Sequence, residues 1–234
     1  MTAPPSSYPP PRRLTPERSR RFILDNTDIV HPPHVPEIGL RLATEAHDLW
    51  LKTEAELEAI GLPPPYWAFA WAGGQALARY VLDHPAIVAG RSVLDFASGS
   101  GLVAIAASKA GARTVTAADI DPFCREAIAV NAALNGADLA IRIDNCVATP
   151  VAEDVLLAGD VFFDRAMADA IIPWFDAVAT AGTELLVGDP GRAYLPQDRL
   201  EPLATYAVPV TRALEDAEVK RSTVWHWRRG GSAL

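Results

Sequence analysis

The sequence predicts an α/β fold with a mostly parallel sheet, helices on both faces and an antiparallel strand pair at the C-terminal end. Three observations carry this prediction. Apolar, strand-like runs at 93–96, at 114–119 and within 154–164 lead to small or acidic residues, namely the turn at 97–101, Asp119 and Asp160. An alanine-rich helical segment separates the first two runs, as in a βαβ unit. The last two strand-like runs, at 205–212 and 222–228, have no helical pattern between them, which indicates antiparallel pairing.

The composition limits the class of protein. With 234 residues, half of them apolar, the chain can build one good core and little of a second domain. Its net charge of −8 argues against a nucleic-acid binder, whose surface would be basic. Two cysteines, Cys124 and Cys146, suggest neither a disulfide framework nor a zinc site, so a cytoplasmic location is expected. No apolar run approaches the ~18 residues that span a bilayer, so we expect a soluble protein with no membrane partner, and a monomer.

Two segments are expected to precede the main domain at 66–234. Residues 1–21 are rich in proline and arginine and are predicted to be disordered, although an Arg-rich start also fits an organellar targeting segment. Residues 22–65 are predicted to form a helical extension, with a helix over 37–52. The His-Pro-Pro-His stretch at 31–34 cannot be helical, so it is interpreted as a surface turn, and no metal site is expected.

An aromatic stretch at 66–75 leads into a predicted helix at 76–82. Aromatic residues at this density are usually core residues. Here they lie beside the Gly73-Gly74 pair, directly before a helix, where a flat ring can close over the edge of a ligand. Two interpretations therefore stay open: simple packing, or a wall of a cofactor pocket that involves Trp71 and Gly73.

The segment at 93–101 is predicted to be a strand, a tight turn and the start of a helix. Gly99 and Gly101 allow a sharp turn and let a ligand approach main-chain N–H groups, although such turns also serve as plain connections. The N-terminus of the following helix favours an anionic or polar group. The next strand ends at Asp119, about 20 residues after the glycines, where the acid of a nucleotide-binding βαβ unit meets ribose hydroxyls.

Two further units continue the alternation of strand and helix. Asp121 is predicted to cap a helix over 122–134, which ends at Asn135-Gly136. A strand over 139–143 follows, and polar residues after it, including Asn145, are placed to meet the edge of a base at the carboxyl end of the sheet.

The next strand delivers Asp160 to the same edge of the sheet. A carboxylate buried beside Phe162 and Phe163 is costly without a partner, which indicates that it binds or orients a polar group, with helix capping as the alternative. A helix over 167–181 and a strand that ends in the turn-rich segment 188–192 complete the parallel part.

Five motifs together resemble one family. They are the aromatic block at 66–75, the turn at 97–101, Gly-Asp-Val-Phe-Phe-Asp at 159–164, Gly-Asp-Pro-Gly-Arg at 188–192 and Ser-Thr-Val-Trp at 222–225. From about residue 66 to 227 the chain is similar to the seven-strand S-adenosylmethionine-dependent methyltransferases. Within that class it most resembles the lysine methyltransferases of the electron transfer flavoprotein β-subunit, including their bacterial relatives.

The resemblance implies a Rossmann-like seven-strand sheet, S-adenosylmethionine as cofactor, and protein-lysine N-methylation as activity. It implies that Asp160 and Phe163 act beside the methyl group, and that Phe162, Asp189 and Arg192 bind the substrate. The residues that it places around the cofactor are Trp71, Gly73, Asp95, Ala97, Ser98, Gly99, Gly101, Asp119, Ile120, Asn145 and Gly159.

Two positions depart from the family pattern. Ala97 stands where the class usually has the first glycine of the turn, so the turn must tolerate a Cβ. Phe163 stands where related enzymes usually have tyrosine, so no hydroxyl at this position orients the lysine. Its ring can still wall a channel for the aliphatic stem of the lysine.

The expected substrate is the electron transfer flavoprotein β-subunit. Methyl transfer needs an aligned, unprotonated amine, and whether Asp160 or the apolar channel dominates the amine's pKa stays open. Alternatives are a ribosomal-protein lysine or a small-molecule amine, because one sheet supports all of these chemistries. A nicotinamide-dependent oxidoreductase shares the glycine turn and the distal acid but not the antiparallel end, and a binding protein without catalysis also stays open.

Overall fold

The computed structural model describes residues 15–44, 64–210 and 218–229. Its strands are β1 (Asp28–Val30), β2 (Leu40–Leu42), β3 (Ser92–Phe96), β4 (Thr114–Asp119), β5 (Ala140–Ile143), β6 (Val155–Gly159), β7 (Glu184–Asp189), β8 (Leu200–Pro209) and β9 (Val219–Trp227). Seven of them form one sheet in the order β5-β4-β3-β6-β7-β9-β8. Strands β3 to β7 pair in parallel, while β9 pairs antiparallel with both β7 and β8. The predicted fold is confirmed.

Helices cover both faces of this sheet. They are α1 (Pro16–Asp25), α2 (Ala72–Asp83), α3 (Leu102–Lys109), α4 (Pro122–Asn135) and α5 (Arg165–Thr180). Successive side chains of a strand point to opposite faces. Val93 of β3 therefore lies in the core formed with α2, α3 and α4, whereas its neighbour Leu94 lies in the core formed with α5. None of the helices in the described ranges is long and apolar enough to cross a membrane.

The disorder predicted for 1–21 is wrong over its last residues, because α1 begins at Pro16. The hydroxyl of Thr15 accepts a hydrogen bond from the first-turn backbone, and Pro16 occupies the first turn, where its missing N–H costs nothing. Ile23 is fully buried, which anchors the helix. The proline-rich residues 1–14 lie outside the described residues.

The helix predicted over 37–52 is wrong over 37–44, and residues 45–52 lie outside the described residues. In place of a helix, β2 pairs with β1. Two asparagines of α4 hold this segment in extended form: Asn135 accepts a hydrogen bond from the backbone N–H of Gly39, and Asn131 accepts one from that of Arg41. Tertiary hydrogen bonds therefore override the helical spacing of the apolar residues.

Two boundaries differ from the prediction because of contacts that the sequence does not display. Helix α2 begins at Ala72 rather than residue 76, since its two glycines pack closely against the sheet. Strand β8 begins at Leu200 rather than residue 205, and it contains Pro202 beside a register shift. Proline is tolerated there because β8 is an edge strand.

Candidate active site

A cavity of about 490 Å³ lies at the carboxyl ends of β3, β4 and β6. These three strands are neighbours in the sheet, so the residues that follow them meet at one edge. The aromatic segment before α2 forms the opposite wall. The predicted site residues that line the cavity are Trp71, Asp95, Ala97, Ser98, Gly99, Asp119, Ile120, Gly159, Asp160, Phe163 and Arg192.

The turn after β3 has left-handed backbone at three positions. The φ angles are +54° at Ala97, +54° at Gly99 and +85° at Gly101. Gly101 is the N-cap of α3 and packs toward Ile128, so it shapes the turn without lining the cavity. At Ala97 the Cβ makes this conformation cost about 1–2 kcal/mol, which the surrounding structure must offset.

Asp95 supports the turn from below. One of its carboxylate oxygens, Oδ2, accepts hydrogen bonds from the Ser98 hydroxyl and from the backbone N–H of Ala104 at 3.0 Å. Burial raises the pKa of Asp95 to about 7, because the charged form is poorly solvated there. Asp95 therefore fixes the geometry of the turn as well as lining the cavity.

Asp119 joins the ends of β3 and β4. Its Oδ2 accepts a hydrogen bond from the Gly99 N–H at 2.9 Å, and its Oδ1 accepts one from the Asp121 N–H at 3.0 Å. A carboxylate has about four lone-pair sites, so it retains acceptor capacity toward the cavity. The neighbouring Ile120 lines the same cavity although its side chain is 72% exposed, which suits it to cover a bound ring.

Asp160 lies at the end of β6 with a φ of +56°. Its N–H donates to the Gly188 carbonyl, and its Oδ2 accepts a hydrogen bond from the Gly74 N–H, both at 2.9 Å. Its Oδ1 accepts two hydrogen bonds from Arg192, from Nη2 at 2.7 Å and from Nε at 3.1 Å. The capping alternative is thus partly correct: Asp160 caps α2, while Asp164 caps the helix that follows it.

Glycines allow α2 to reach these groups. A Cβ on Gly73 would lie 2.3 Å from the Gly188 carbonyl oxygen, and a Cβ on Gly188 would lie 2.2 Å from the Gly73 carbonyl oxygen. A Cβ on Gly159 would lie 2.9 Å from the Gly74 Cα. Gly73 is therefore a packing residue, and it is Gly74 that lines the cavity.

The loop after β7 positions Arg192. The Oδ1 of Asp189 accepts hydrogen bonds from the N–H groups of Gly191 at 2.6 Å and Arg192 at 2.7 Å. Its Oδ2 is buried and has no hydrogen-bond partner among the described residues. Burial first, and the nearby charge of Asp160 second, raise the pKa of Asp189 to about 7. Asp189 thus builds the loop and does not itself line the cavity.

Two other predicted site residues lie outside the cavity. Phe162 is fully buried in the second core, where its ring stacks on that of Trp227. Asn145 is exposed, and its Oδ1 accepts a hydrogen bond from the Val147 N–H, which makes a local turn.

Comparisons with known proteins bear on this site. The family described as "Ribosomal protein L11 methyltransferase (PrmA)" matches residues 75–182. The electron transfer flavoprotein beta subunit lysine methyltransferase of Danio rerio is 41% identical over 216 residues, which are 89% of this chain and 83% of that protein. The Homo sapiens counterpart is 37% identical over 221 residues, or 88% of this chain and 80% of that protein.

This chain belongs to the electron transfer flavoprotein β-subunit lysine methyltransferase family. Membership confirms the predicted family, the methyltransferase activity and S-adenosylmethionine as cofactor, and it sets aside a nicotinamide-dependent oxidoreductase. A solved structure, Thermoplasma acidophilum 1320, aligns with a TM-score of 0.54 at 19% identity over 68% of this chain and 91% of that one. That likeness supports the fold alone.

The residues of this family member fit S-adenosylmethionine. The cavity volume of about 490 Å³ lies within the range of small-molecule sites, roughly 300–1,000 Å³. The left-handed turn at 97–101 brings bare backbone to its floor, and Asp119 is held rigidly with acceptor capacity left. Within residues 15–44, 64–210 and 218–229, no three His, Cys, Asp or Glu side chains are grouped so that they could hold a metal ion.

Some cavity residues are not among those that the sequence predicts for the site. They are Tyr66, Phe69, Gly74, Ser100, Asp121, Cys124 and Met167. Tyr66 and Phe69 belong to the aromatic stretch, so the pocket-wall interpretation could have included them. Asp121 had a sufficient explanation as a helix cap, and in the structure it is both cap and cavity residue.

Ala97→Gly is expected to raise the free energy of unfolding by about 0.5 kcal/mol. The change removes the strain of the left-handed backbone. Part of this gain is offset because glycine increases the conformational entropy of the unfolded chain. The reverse change, Gly99→Ala, meets no atom closer than 3.9 Å and is expected to cost about 1 kcal/mol through strain alone. Urea unfolding of both variants without cofactor measures this. Destabilisation by Ala97→Gly would show that the methyl group packs productively.

Stability is expected to fall as pH rises from about 4 to about 7. The pKa values of Asp95 and Asp189 are raised by burial to about 7, and that of Asp121 to about 6. The folded protein therefore keeps protons that the unfolded chain releases near pH 4, and the stability they provide is lost by neutral pH. We expect the free energy of unfolding to be ~2 kcal/mol lower at pH 8 than at pH 5, and Asp95→Asn to remove ~1 kcal/mol of that difference. Equal pH dependence in both proteins would contradict this.

Proposed function

We propose that this enzyme methylates lysine side chains of the electron transfer flavoprotein β-subunit. The observation that carries the proposal is an aromatic mouth that leads to a buried carboxylate, Asp160, next to the cofactor turn. Such a channel suits a long aliphatic side chain with a polar end. Relatives at 37–41% identity over most of both chains bear this substrate in their names, which supports the choice.

The turn at 97–101 and Asp119 would hold the cofactor, with Ile120 over its ring. When bound, S-adenosylmethionine supplies a methyl group on a positively charged sulfur. The Gly74 N–H and Arg192 fix the Asp160 carboxylate beside this place, so the acceptor does not have to reorganise when the amine arrives.

Aromatic rings would form the walls of the lysine channel. The ring centroid of Tyr66 lies 5.4 Å from that of Phe163 and 6.0 Å from that of Trp71. The indole N–H of Trp71 donates to the Tyr66 carbonyl at 3.0 Å, which ties the two sides of the wall together. An apolar wall excludes water and disfavours the charged form of an amine. Asp160 would accept a hydrogen bond from the amine and orient its lone pair.

A lysine of ribosomal protein L11 is a second candidate substrate, because the matched family bears that name. The match covers residues 75–182, which include the cofactor turn and Asp160. It stops before Arg192 and the antiparallel strands β8 and β9. The family match therefore supports the identity of the methyl donor more than that of the substrate.

Intact-mass spectrometry tests the substrate. Purified flavoprotein β-subunit, ribosomal protein L11 and a free alkylamine are each incubated with enzyme and S-adenosylmethionine. We expect the β-subunit alone to gain mass in steps of one methyl group, and peptide mapping to place the gain on lysine. A gain on L11 with none on the β-subunit would overturn the proposal, and a gain on neither protein would argue for a small-molecule substrate.

We also propose a cytoplasmic monomer that acts without nucleic acid. The net charge of −8 and the two buried thiols, Cys124 and Cys146, support this. Light scattering at micromolar concentration tests the monomer, since a dimer would double the molar mass.

A further inference from the structure

The carboxylate that would orient the substrate amine is already paired with a cation of this chain. Arg192 donates to Oδ1 of Asp160 from Nη2 at 2.7 Å and from Nε at 3.1 Å. The side chains of Asp160 and Arg192 are only 7% and 20% exposed. Solvent therefore screens this pair weakly, and the guanidinium cancels most of the carboxylate's charge within the pocket.

The position of Arg192 is built by its neighbours. Its backbone N–H donates to the Asp189 carboxylate, which fixes the loop. Its guanidinium carbon lies 5.7 Å from the centre of the Trp71 ring, within range of a cation–π contact. Contacts from the loop, the mouth and β6 thus hold the guanidinium in the cavity wall.

A bare carboxylate would work against methyl transfer. A lysine ammonium has a solution pKa of about 10.4, and an opposite charge within ~4–6 Å raises the pKa of a cation by roughly 1–3 units. Only the neutral amine has a lone pair to donate. A cation paired with the carboxylate offsets this effect, because it repels the ammonium.

Within residues 15–44, 64–210 and 218–229, the other titratable groups around the cavity are acids or weak acids. From the neighbouring elements these are Asp95 at β3, Asp119 and Asp121 at β4, Asp189 at β7, Cys124 of α4 and Tyr66 at the mouth. Among the described residues that line the cavity, Arg192 is the one with a permanent positive charge. Loss of its guanidinium would leave only acidic groups among the titratable side chains that line the cavity in the described part of the chain.

We propose that Arg192 sets the protonation state of the substrate lysine, by neutralising Asp160 so that the bound amine is not retained as ammonium. The inference rests on the proposed function. In the step concerned, an N–H bond of the ammonium breaks, the proton passes to water, and the electron pair stays on Nζ. Asp160 can then accept a hydrogen bond from the neutral amine without recapturing the proton. Arg192 is thus a positioning residue: it holds the Asp160 carboxylate in place and neutralises its charge.

The pH dependence of kcat tests the inference. Arg192→Gln is compared with wild type, with Arg192→Lys and with Arg165→Gln, using the flavoprotein β-subunit at saturation from pH 6.5 to 10. In Arg192→Gln we expect the rising limb to shift upward by about one pH unit or more, which lowers kcat about tenfold at pH 7.5 and leaves it within about twofold of wild type at pH 10.

The controls separate charge from structure. Arg192→Lys keeps a cation and is expected to restore most of the shift. Arg165→Gln removes the same charge from an exposed arginine whose guanidinium lies over Tyr194, and its profile should match wild type. Affinity for the β-subunit, measured with S-adenosylhomocysteine present at pH 7.5, should rise about threefold or more in Arg192→Gln, because an uncompensated Asp160 attracts the ammonium.

Two outcomes overturn the inference. A loss of kcat by the same factor at every pH would mean that Arg192 only supports the loop, and a profile that coincides with wild type would mean that Arg192 does not affect the amine. If wild type leaves the β-subunit unmodified at every pH, the proposed substrate is wrong. If wild type methylates the β-subunit and the pH profile of kcat in Arg192→Gln is not shifted, only the role of Arg192 is rejected and the proposed substrate stands.

Discussion

Asp160→Asn is expected to lower kcat for lysine methylation by about a hundredfold or more. Asparagine tolerates the left-handed φ of +56° and can still accept the hydrogen bond of the Gly74 N–H, so the backbone should persist. With its one amide oxygen bonded to Gly74, asparagine places an NH2 group where the other oxygen of Asp160 accepts from Arg192, and this group cannot accept a hydrogen bond from the amine. Asp160→Ala would remove the acceptor as well and should be at least as inactive.

The loss should be confined to chemistry. Calorimetric affinity for S-adenosylhomocysteine is expected to change less than about threefold, because the turn at 97–101 and Asp119 are untouched. Asp164→Asn is the matched control: this exposed carboxylate caps α5, and asparagine caps a helix about equally well. Parallel loss of cofactor binding in Asp160→Asn would instead assign Asp160 a structural role.

Gly73→Ala is expected to lower the free energy of unfolding by about 2–3 kcal/mol, or to prevent folding. The new Cβ would lie 2.3 Å from the Gly188 carbonyl oxygen and 2.6 Å from Oδ2 of Asp160. The first of these is backbone of a central strand and cannot move aside cheaply. The clash would push α2 away from β7, and the Gly74 N–H away from Asp160 with it.

The adjacent glycine provides the control with the opposite sign. A Cβ on Gly74 meets no atom within 4 Å, and the residue is helical, so Gly74→Ala should stabilise the free protein by up to about 1 kcal/mol. Urea unfolding of both variants without cofactor measures the difference. If both changes have the same sign and size, the close contact between α2 and β7 does not exist in solution.

The sheet and the carboxylates at its edge could be predicted because they leave periodic signals. Apolar runs that end in an acid mark Asp119 and Asp160, and both lie in the cavity. The choice between Gly73 and Gly74 could not be predicted, since neighbouring glycines look alike until the strand that one of them touches is known. The family resemblance implies a place in the site for Phe162 and Asn145, but the ring of Phe162 stacks on Trp227 in the core and Asn145 makes a local turn.

In the N-terminal segment the sequence predicts the secondary structure poorly. Thr15-Pro16-Glu17 is a recognisable helix start, yet the density of proline before it outweighed that signal. The extended form of 37–44 depends on amide groups of Asn131 and Asn135, some 90 residues further along the chain. Local pattern does not contain such information.

The partners of Asp160 come from distant parts of the chain. Gly74 is 86 positions away from it in sequence and Arg192 is 32 positions away, on opposite sides. Grafting the Gly-Asp-Val-Phe-Phe-Asp motif onto another parallel sheet would therefore transfer the carboxylate alone. The guanidinium that neutralises its charge and the N–H group that fixes its orientation would be missing. Homology searches for the same chemistry should ask for Gly-Gly, Gly-Asp and Gly-Asp-Pro-Gly-Arg together, since any one of them alone describes only a helix start or a strand end.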